Sequence, residues 1–336
     1  MNVNDIISRV RPGRKVQGIA ACLLPFTADG EIAVEAFQNH LRATHNAGLT
    51  NAVNMDTGYV NYLTEDQRLE VLQWTLQALG PGVPFIAGAY IEGSDGELVS
   101  LYRQQTDQIV AHGGTPIIFQ TARLLGRESR QKLEVYRAVC QGYEAVLAFE
   151  LNPIFAPNGE IFDDETIRGL LEIPELKGLK HSSLNRIREL ERLALRDERR
   201  PDFHVYSGND LGINMIEYGS DYLLGLATFA PEKFAERDLL WETGDPAYYA
   251  LSDALQHLGN VAFRPPVPAY KHSAATFLYL RGAIPTPLSH PHARRRPTWD
   301  ADILRECAER LGLWTRDTAG VLDTNQIAQP LMQGKY

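Results

Sequence analysis

Lys180 closes a short apolar stretch, Ile173-Pro174-Glu175-Leu176-Lys177-Gly178-Leu179-Lys180, and runs straight into His181-Ser182-Ser183. Lysines are seldom fully buried, so a lysine at the end of a strand that reads as buried has two readings. In a dry site desolvation disfavours the ammonium and lowers its pKa, and the neutral amine can then attack a carbonyl and form a Schiff base. Otherwise it is a surface lysine just past a strand, as Lys177 would be. Asp56-Thr57-Gly58 offers a carboxylate that is either an acid/base group or a turn cap, with Thr57 and Asn54 as candidates for binding substrate hydroxyls. Ser207-Gly208-Asn209-Asp210 reads as a loop leading into a helix, with Ser207 and Asn209 as candidate substrate contacts. It supplies either an anion-friendly helix N-terminus or a tight connection whose Asn or Asp caps the helix. His290-Pro291-His292 is a close histidine pair in a loop outside the main fold. A metal site needs three or four converging ligands, so neither a metal nor another cofactor is expected.

These residues must be positioned by something. Short apolar, β-branched runs, the strand candidates, fall at residues 18–24, 51–55, 84–90, 115–120, 145–151, 176–180, 203–207 and 222–226. Amphipathic helical segments separate them at 34–47, 65–78, 96–111, 129–144, 164–171, 184–195 and 209–218. Thr64-Glu65-Asp66-Gln67 fits a capping box, Asp163 or Asp164 precedes another helix, and Gly48, Gly113 and Gly219 sit where helix C-termini should fall. Eight strand signals separated by helices predict a parallel α/β fold with right-handed crossovers. Their number favours a closed (β/α)₈ barrel, the TIM barrel, whose active site lies at the strand C-termini. A doubly wound open sheet is the alternative, but neither GxGxxG nor GxxxxGK[ST] is present to favour a nucleotide fold. The barrel is expected over residues 1–230. Helices at 231–243, 246–258, 270–282 and 300–313, a proline- and histidine-rich loop at 283–300 and a tail form a C-terminal helical region over 231–336. The sequence assigns no role to the tail beyond Leu313, which could cover a barrel mouth or pack on a neighbouring subunit.

Composition narrows the function. The chain has 336 residues, 44% of them hydrophobic and 22% charged, with a net charge of −9. That balance gives no support to nucleic-acid binding, and the run Arg294-Arg295-Arg296 is too short to change it. Cys22, Cys140 and Cys307 lie far apart, with no disulfide or zinc spacing, so a reducing compartment is the default. No stretch is long and apolar enough to span a bilayer and the first residues lack a secretory apolar region. A soluble cytoplasmic protein with no membrane partner is the expectation.

Several strand ends carry a further signal. Leu24-Pro25-Phe26 with Asp29-Gly30, Asp56-Thr57-Gly58 with Leu63-Thr64-Glu65-Asp66-Gln67-Arg68, and Ile86-Ala87-Gly88 come first. Gly178-Leu179-Lys180, Ser207-Gly208-Asn209-Asp210, Tyr218-Gly219-Ser220 and Pro268-Ala269-Tyr270-Lys271 follow. In their order and spacing these segments, over roughly residues 16–285, resemble the dihydrodipicolinate synthase / N-acetylneuraminate lyase family of Schiff-base aldolases. The resemblance implies a (β/α)₈ barrel with a C-terminal helical region, a dimer or tetramer of identical subunits, and a Schiff-base lysine on the sixth strand. The strand count independently puts Lys180 there.

The departures are as informative. Where pyruvate-handling members carry Gly-Thr-Thr-Gly-Glu, this chain reads Met55-Asp56-Thr57-Gly58-Tyr59, and an acidic Asp56 should repel a carboxylate. Counting back from Lys180 without a gap, the tyrosine of the family's Tyr-Asn-x-Pro motif falls on Asn152, its following arginine on Pro157, and its Pro-Tyr-Tyr near Ala122-Arg123-Leu124. The tyrosine relay and the carboxylate clamp are therefore expected to be missing. If Asn152 points into the barrel mouth, strand alternation puts Glu150 on the same face one layer lower, with Lys180 as its partner. Glu150 is then either a structural ion pair or the acid/base for carbinolamine formation. His181, next along the strand, should point away from the lumen and bond between barrel and helix.

Together these readings predict a Schiff-base lyase or aldolase acting on a small-molecule carbonyl substrate that is not simple pyruvate, such as a keto sugar or a related polyhydroxy compound. Lys180, Asp56 and Glu150 carry the chemistry, and Asn54, Thr57, Asn152, Ser207 and Asn209 hold the substrate. The rival class is a barrel that kept its fold and became a small-molecule-binding or regulatory protein.

Overall fold

Strands and helices alternate from β1 to β7 and the sheet closes on itself. The computed structural model describes residues 3–315, and the tail from residue 316 on lies outside them. After a short helix α1 (Val3–Ile7) come β1 (Gly18–Ala21), α2 (Val34–Asn46), β2 (Thr50–Val53), α3 (Glu65–Leu79), β3 (Phe85–Ala89), α4 (Leu98–Ala111), β4 (Gly114–Ile118), α5 (Ser129–Cys140) and β5 (Val146–Leu151). The chain continues through α6 (Asp164–Leu171), β6 (Leu176–Ser182), α7 (Arg186–Arg199), β7 (His204–Ser207), β8 (Asp221–Leu224), α8 (Pro231–Thr243), α9 (Ala247–Ala262), α10 (Tyr270–Leu280) and α11 (Asp300–Arg310). The strands pair in parallel in sequence order, and β8 returns to β1. This is the (β/α)₈ barrel that the sequence predicts, with helices α9 to α11 added at its C-terminal end.

Local chemistry explains several boundaries. The Thr64 hydroxyl accepts the Gln67 N–H while the Gln67 side chain accepts the Thr64 N–H, so α3 opens on the expected capping box. Asp163 caps α6 through the Thr166 N–H. Two details differ from the sequence reading. The segment between β7 and β8 is a short 3₁₀ turn, Ile213–Tyr218, rather than a full helix, and the Asn209 side chain accepts the Leu211 N–H in the loop ahead of it. Helix α8, placed with the appendage in the sequence reading, packs on β8 instead, Phe234 lying 5.6 Å from the Tyr222 ring. It is the eighth helix of the ring, and the appendage starts after it.

Two apolar layers hold the barrel. One fills the lumen with Ile19, Ala21, Ile86, Ile117, Leu147, Phe149 and Leu223. The other joins strands to the surrounding helices, through residues such as Ala20, Val53, Ala148, Leu179 and Leu224. The alternation between layers along each strand fixes which residues can meet inside. Among the described residues no helix is long and apolar enough to cross a membrane, and no cluster of three metal-ligating side chains occurs.

Candidate active site

On β6, alternation sends Lys180 inward and His181 outward. Lys180 is 7% exposed and its ammonium lies 4.5 Å from the centre of the Phe149 ring, a lumen residue of β5. Burial pushes its pKa down to about 8, against the opposing pull of Asp210 and Asp56. Asp210 stands in the loop after β7, itself buried. Burial pushes its carboxyl up to about 7, although the Leu226 N–H at 2.7 Å and Lys180 both favour the charged form. Burial thus draws the two groups toward neutrality from opposite sides, and each one's charge opposes the shift of the other. Gly208 makes room for this: a Cβ there would come within 3.1 Å of Lys180 Cε and 2.0 Å of Ser182 Oγ.

A second group forms at the end of β2. Asp56 and Thr57 lie in a 3₁₀ turn that faces α10. The Tyr270 hydroxyl donates to Asp56 Oδ2 at 2.9 Å and lies 2.9 Å from Thr57 Oγ1. Lys271 Nζ, 3% exposed as a residue, donates to Asp56 Oδ1 at 2.9 Å. Burial and the Asp56 charge hold the Tyr270 phenol well above its ordinary pKa, so it stays a proton donor. Its ring stacks on Phe263 at 4.3 Å, and Gly225 lets ring and Thr57 approach, since a Cβ there would sit 3.1 Å from each. The helical appendage therefore contributes two polar groups to the barrel mouth.

Glu150 requires a correction. It does not face Lys180. Phe149 stands opposite Lys180 in the β5–β6 register, and Glu150 stands opposite His181. The Glu150 carboxylate accepts His181 Nδ1 at 2.5 Å, Arg192 Nε at 3.0 Å and the Phe162 N–H at 2.8 Å, all outside the lumen. Burial pushes this carboxyl up, but His181 and Arg192 more than reverse it and leave it below the ordinary range. His181 also meets Ser183 Oγ at 2.6 Å, and its link to helix α7 runs through Glu150 to Arg192. The gapless count from Lys180 assigns the wrong face to residues 150 and 152: Leu147, Phe149 and Leu151 line the lumen.

The remaining candidates are arranged as scaffolding. Asn152 donates to the Ser183 carbonyl and accepts the Ile154 N–H, tying the β5 loop to the end of β6. Ser207 stands opposite His181 in register and donates outward to Glu189 at 3.1 Å. Asn209 bonds Ser207 Oγ through its N–H and Leu211 through its side chain. Asn54 holds a left-handed φ of 51° and donates to the Arg68 carbonyl. The structure brings together Lys180, Asp56 and Thr57 from the candidate set. It adds Asp210, Tyr270, Lys271 and Gly208, all of which lie in motifs visible in the sequence but were not singled out as site residues.

A closed barrel with a buried lysine and two carboxylates at its strand C-termini has the build of a barrel enzyme. Comparison with known proteins agrees. No family model matches the chain. It is 24% identical over 226 residues to 4-hydroxy-tetrahydrodipicolinate synthase of Kosmotoga olearia, covering 65% of this chain and 72% of that protein. It is 26% identical over 216 residues to 4-hydroxy-tetrahydrodipicolinate synthase 1 of Halalkalibacterium halodurans, covering 62% and 68%. Among solved structures, dihydrodipicolinate synthase from Thermotoga maritima superposes with a TM-score of 0.75 at 19% identity, over 89% of this chain and 99% of that one. A prophage protein of the dihydrodipicolinic acid synthase family from E. coli K12, in complex with pyruvate, gives 0.75 at 15% identity over the same shares. In sequence and fold the chain is similar to dihydrodipicolinate synthases, and the enzyme class this similarity supports is a lyase.

Proposed function

We propose that this lyase works through a Schiff base on Lys180 and acts on a neutral, polyhydroxylated carbonyl compound rather than on simple pyruvate. The observation that carries the reading is the buried Lys180 amine, brought to about 8, beside an Asp210 carboxyl brought to about 7. The neutral amine adds to the substrate carbonyl, forming the C–N bond, and one amine proton moves to the former carbonyl oxygen. Protonated Asp210 gives its proton to that hydroxyl, which leaves as water, and an iminium remains. The iminium is the electron sink for breaking or forming the adjacent C–C bond, or for losing water. Asp56, held at the mouth by Tyr270 and Lys271, is the carboxylate placed to exchange protons with the carbon next to the iminium. Asp56 and Thr57 offer hydrogen bonds to substrate hydroxyls. The family resemblance adds an expected dimer or tetramer and a cytoplasmic site of action.

The test is intact-mass spectrometry after borohydride reduction with a panel of keto acids and keto sugars, on wild type and Lys180→Ala. A covalent adduct in wild type alone supports the reading, and its added mass names the substrate class. An adduct on another residue, or none with any compound, rejects it in favour of a barrel that binds without turnover.

A further inference from the structure

The Asp56 carboxylate is held as a bound anion would be. Lys271 Nζ meets one oxygen and the Tyr270 hydroxyl the other, each at 2.9 Å, and Thr57 Oγ1 backs the phenol at 2.9 Å. Lys271 is buried, and its ammonium also lies 5.8 to 5.9 Å from the ring centres of Tyr59, Tyr62 and Tyr270. Aromatic faces favour a cation there, but they do not neutralise it. A buried ammonium without a counter-ion is strongly unfavourable, so Asp56 is the internal counter-ion of this cage. Its side chain keeps 17% of its surface exposed and its charge reaches Lys180. The filled cage therefore borders the space where a carbonyl compound must sit to meet the amine.

We propose that Asp56, Lys271 and Tyr270 form a latent carboxylate site that the protein fills with its own side chain, and that this filling sets the substrate's charge. With Asp56 in place, a 2-oxo acid must bring a second carboxylate beside the first, where Lys271 is already paired. A neutral carbonyl compound meets the unused lone pairs of Asp56, which accept its hydroxyls. Lys271 and Tyr270 are specificity-determining residues that act through Asp56. This inference rests on the Schiff-base reading above and gives it a substrate rule.

The experiment is competitive trapping: pyruvate and dihydroxyacetone at equal concentration, borohydride, and intact mass. Wild type is expected to trap dihydroxyacetone in excess. In Asp56→Ala the pyruvate adduct should rise at least about tenfold, the low end for removing one nearby like charge in a partly dry site. Asp56→Ala/Lys271→Met should bring it back to the wild-type level, because the cation that receives the carboxylate is gone. Asp56→Asn keeps an acceptor for Tyr270 and should show a smaller rise, and any adduct at Lys180 in a variant certifies a folded site. Wild type that traps pyruvate at least as well as dihydroxyacetone overturns the proposal and leaves the Schiff base standing. So does pyruvate trapping unchanged in both Asp56 variants. Wild type that traps neither compound, nor any other in the panel, removes the Schiff-base reading and this proposal with it.

Discussion

Gly208 and Lys180 are in such close approach that a single methyl group on the glycine would stand 3.1 Å from the lysine Cε. The same methyl would fall 2.0 Å from Ser182 Oγ, so both side chains would have to move to admit it. Gly208→Ala should thus displace the amine. Overpacking of this kind costs about 1–3 kcal/mol of stability, and a misplacement of about 1 Å can lower a rate about 100-fold. The expected outcome is a folded protein, shown by circular dichroism, with borohydride trapping at Lys180 slowed by about that factor. Trapping at the wild-type rate would mean that the lysine reaches its substrate from another direction.

Asp210 should govern the pH dependence of the amine. Its negative charge favours the ammonium, so it raises the Lys180 pKa against the larger lowering by burial that leaves it at about 8. Replacing it with asparagine removes that support, and the neutral amine then persists to lower pH. In Asp210→Asn the rising limb of trapping against pH should move to lower pH than in wild type. The plateau should fall by about 10² because the acid that expels water is gone. A limb that moves upward, or a plateau that is unchanged, would remove Asp210 from the proton transfer.

Glu150 should matter for stability rather than for chemistry. Glu150→Gln leaves Arg192, 2% exposed, with only the largely exposed Asp164 at 3.2 Å as its counter-charge. Breaking a buried pair from one side costs about 3–5 kcal/mol, which should show as a lower denaturant midpoint. The folded-state carboxyl lies below its ordinary value, so its contribution is present above the unfolded-state pKa and is lost as pH falls through the folded one. Acid titration of wild type should show this loss, and Glu150→Gln should lack it. Where the variant is still folded, its adduct at Lys180 should survive.

The contrast between Glu150 and Lys180 shows what a single sequence can and cannot reveal here. Eight strand signals, the capping box at Thr64 and the outward turn of His181 are local matters of periodicity and hydrogen-bonding type, and they were readable. The face of Glu150 was not. Residues 146 to 151 are apolar on both sides apart from Glu150, so alternation alone cannot orient them. The partner that settles the face, Arg192, stands 42 residues away on α7. Tyr270 and Lys271 escaped for the same reason: nothing near Asp56 in sequence says that a helix after the eighth strand returns to the mouth. Asp210 was within reach, since it shares the Ser-Gly-Asn-Asp loop with two residues that were chosen, but Ser207 and Asn209 proved to bond within the scaffold.

Tyr270 links the helical appendage to the barrel, and its loss should be felt at both ends. In Tyr270→Phe the ring can keep its stack on Phe263, so packing is preserved while one hydroxyl disappears. Thr57 Oγ1 then loses its neighbour at 2.9 Å, and Asp56 keeps only Lys271. Two buried hydrogen bonds lost from one side predict a stability decrease of about 1–3 kcal/mol. In the proposed mechanism imine formation depends on Lys180 and Asp210, so the dihydroxyacetone adduct should still form. Exchange of deuterium from solvent into the carbon next to the trapped carbonyl, followed by NMR, should slow by about 10-fold to 100-fold as Asp56 loses its fixed orientation. A purely structural tyrosine would lower the melting temperature and leave exchange per mole of adduct unchanged, which separates the two roles in one preparation.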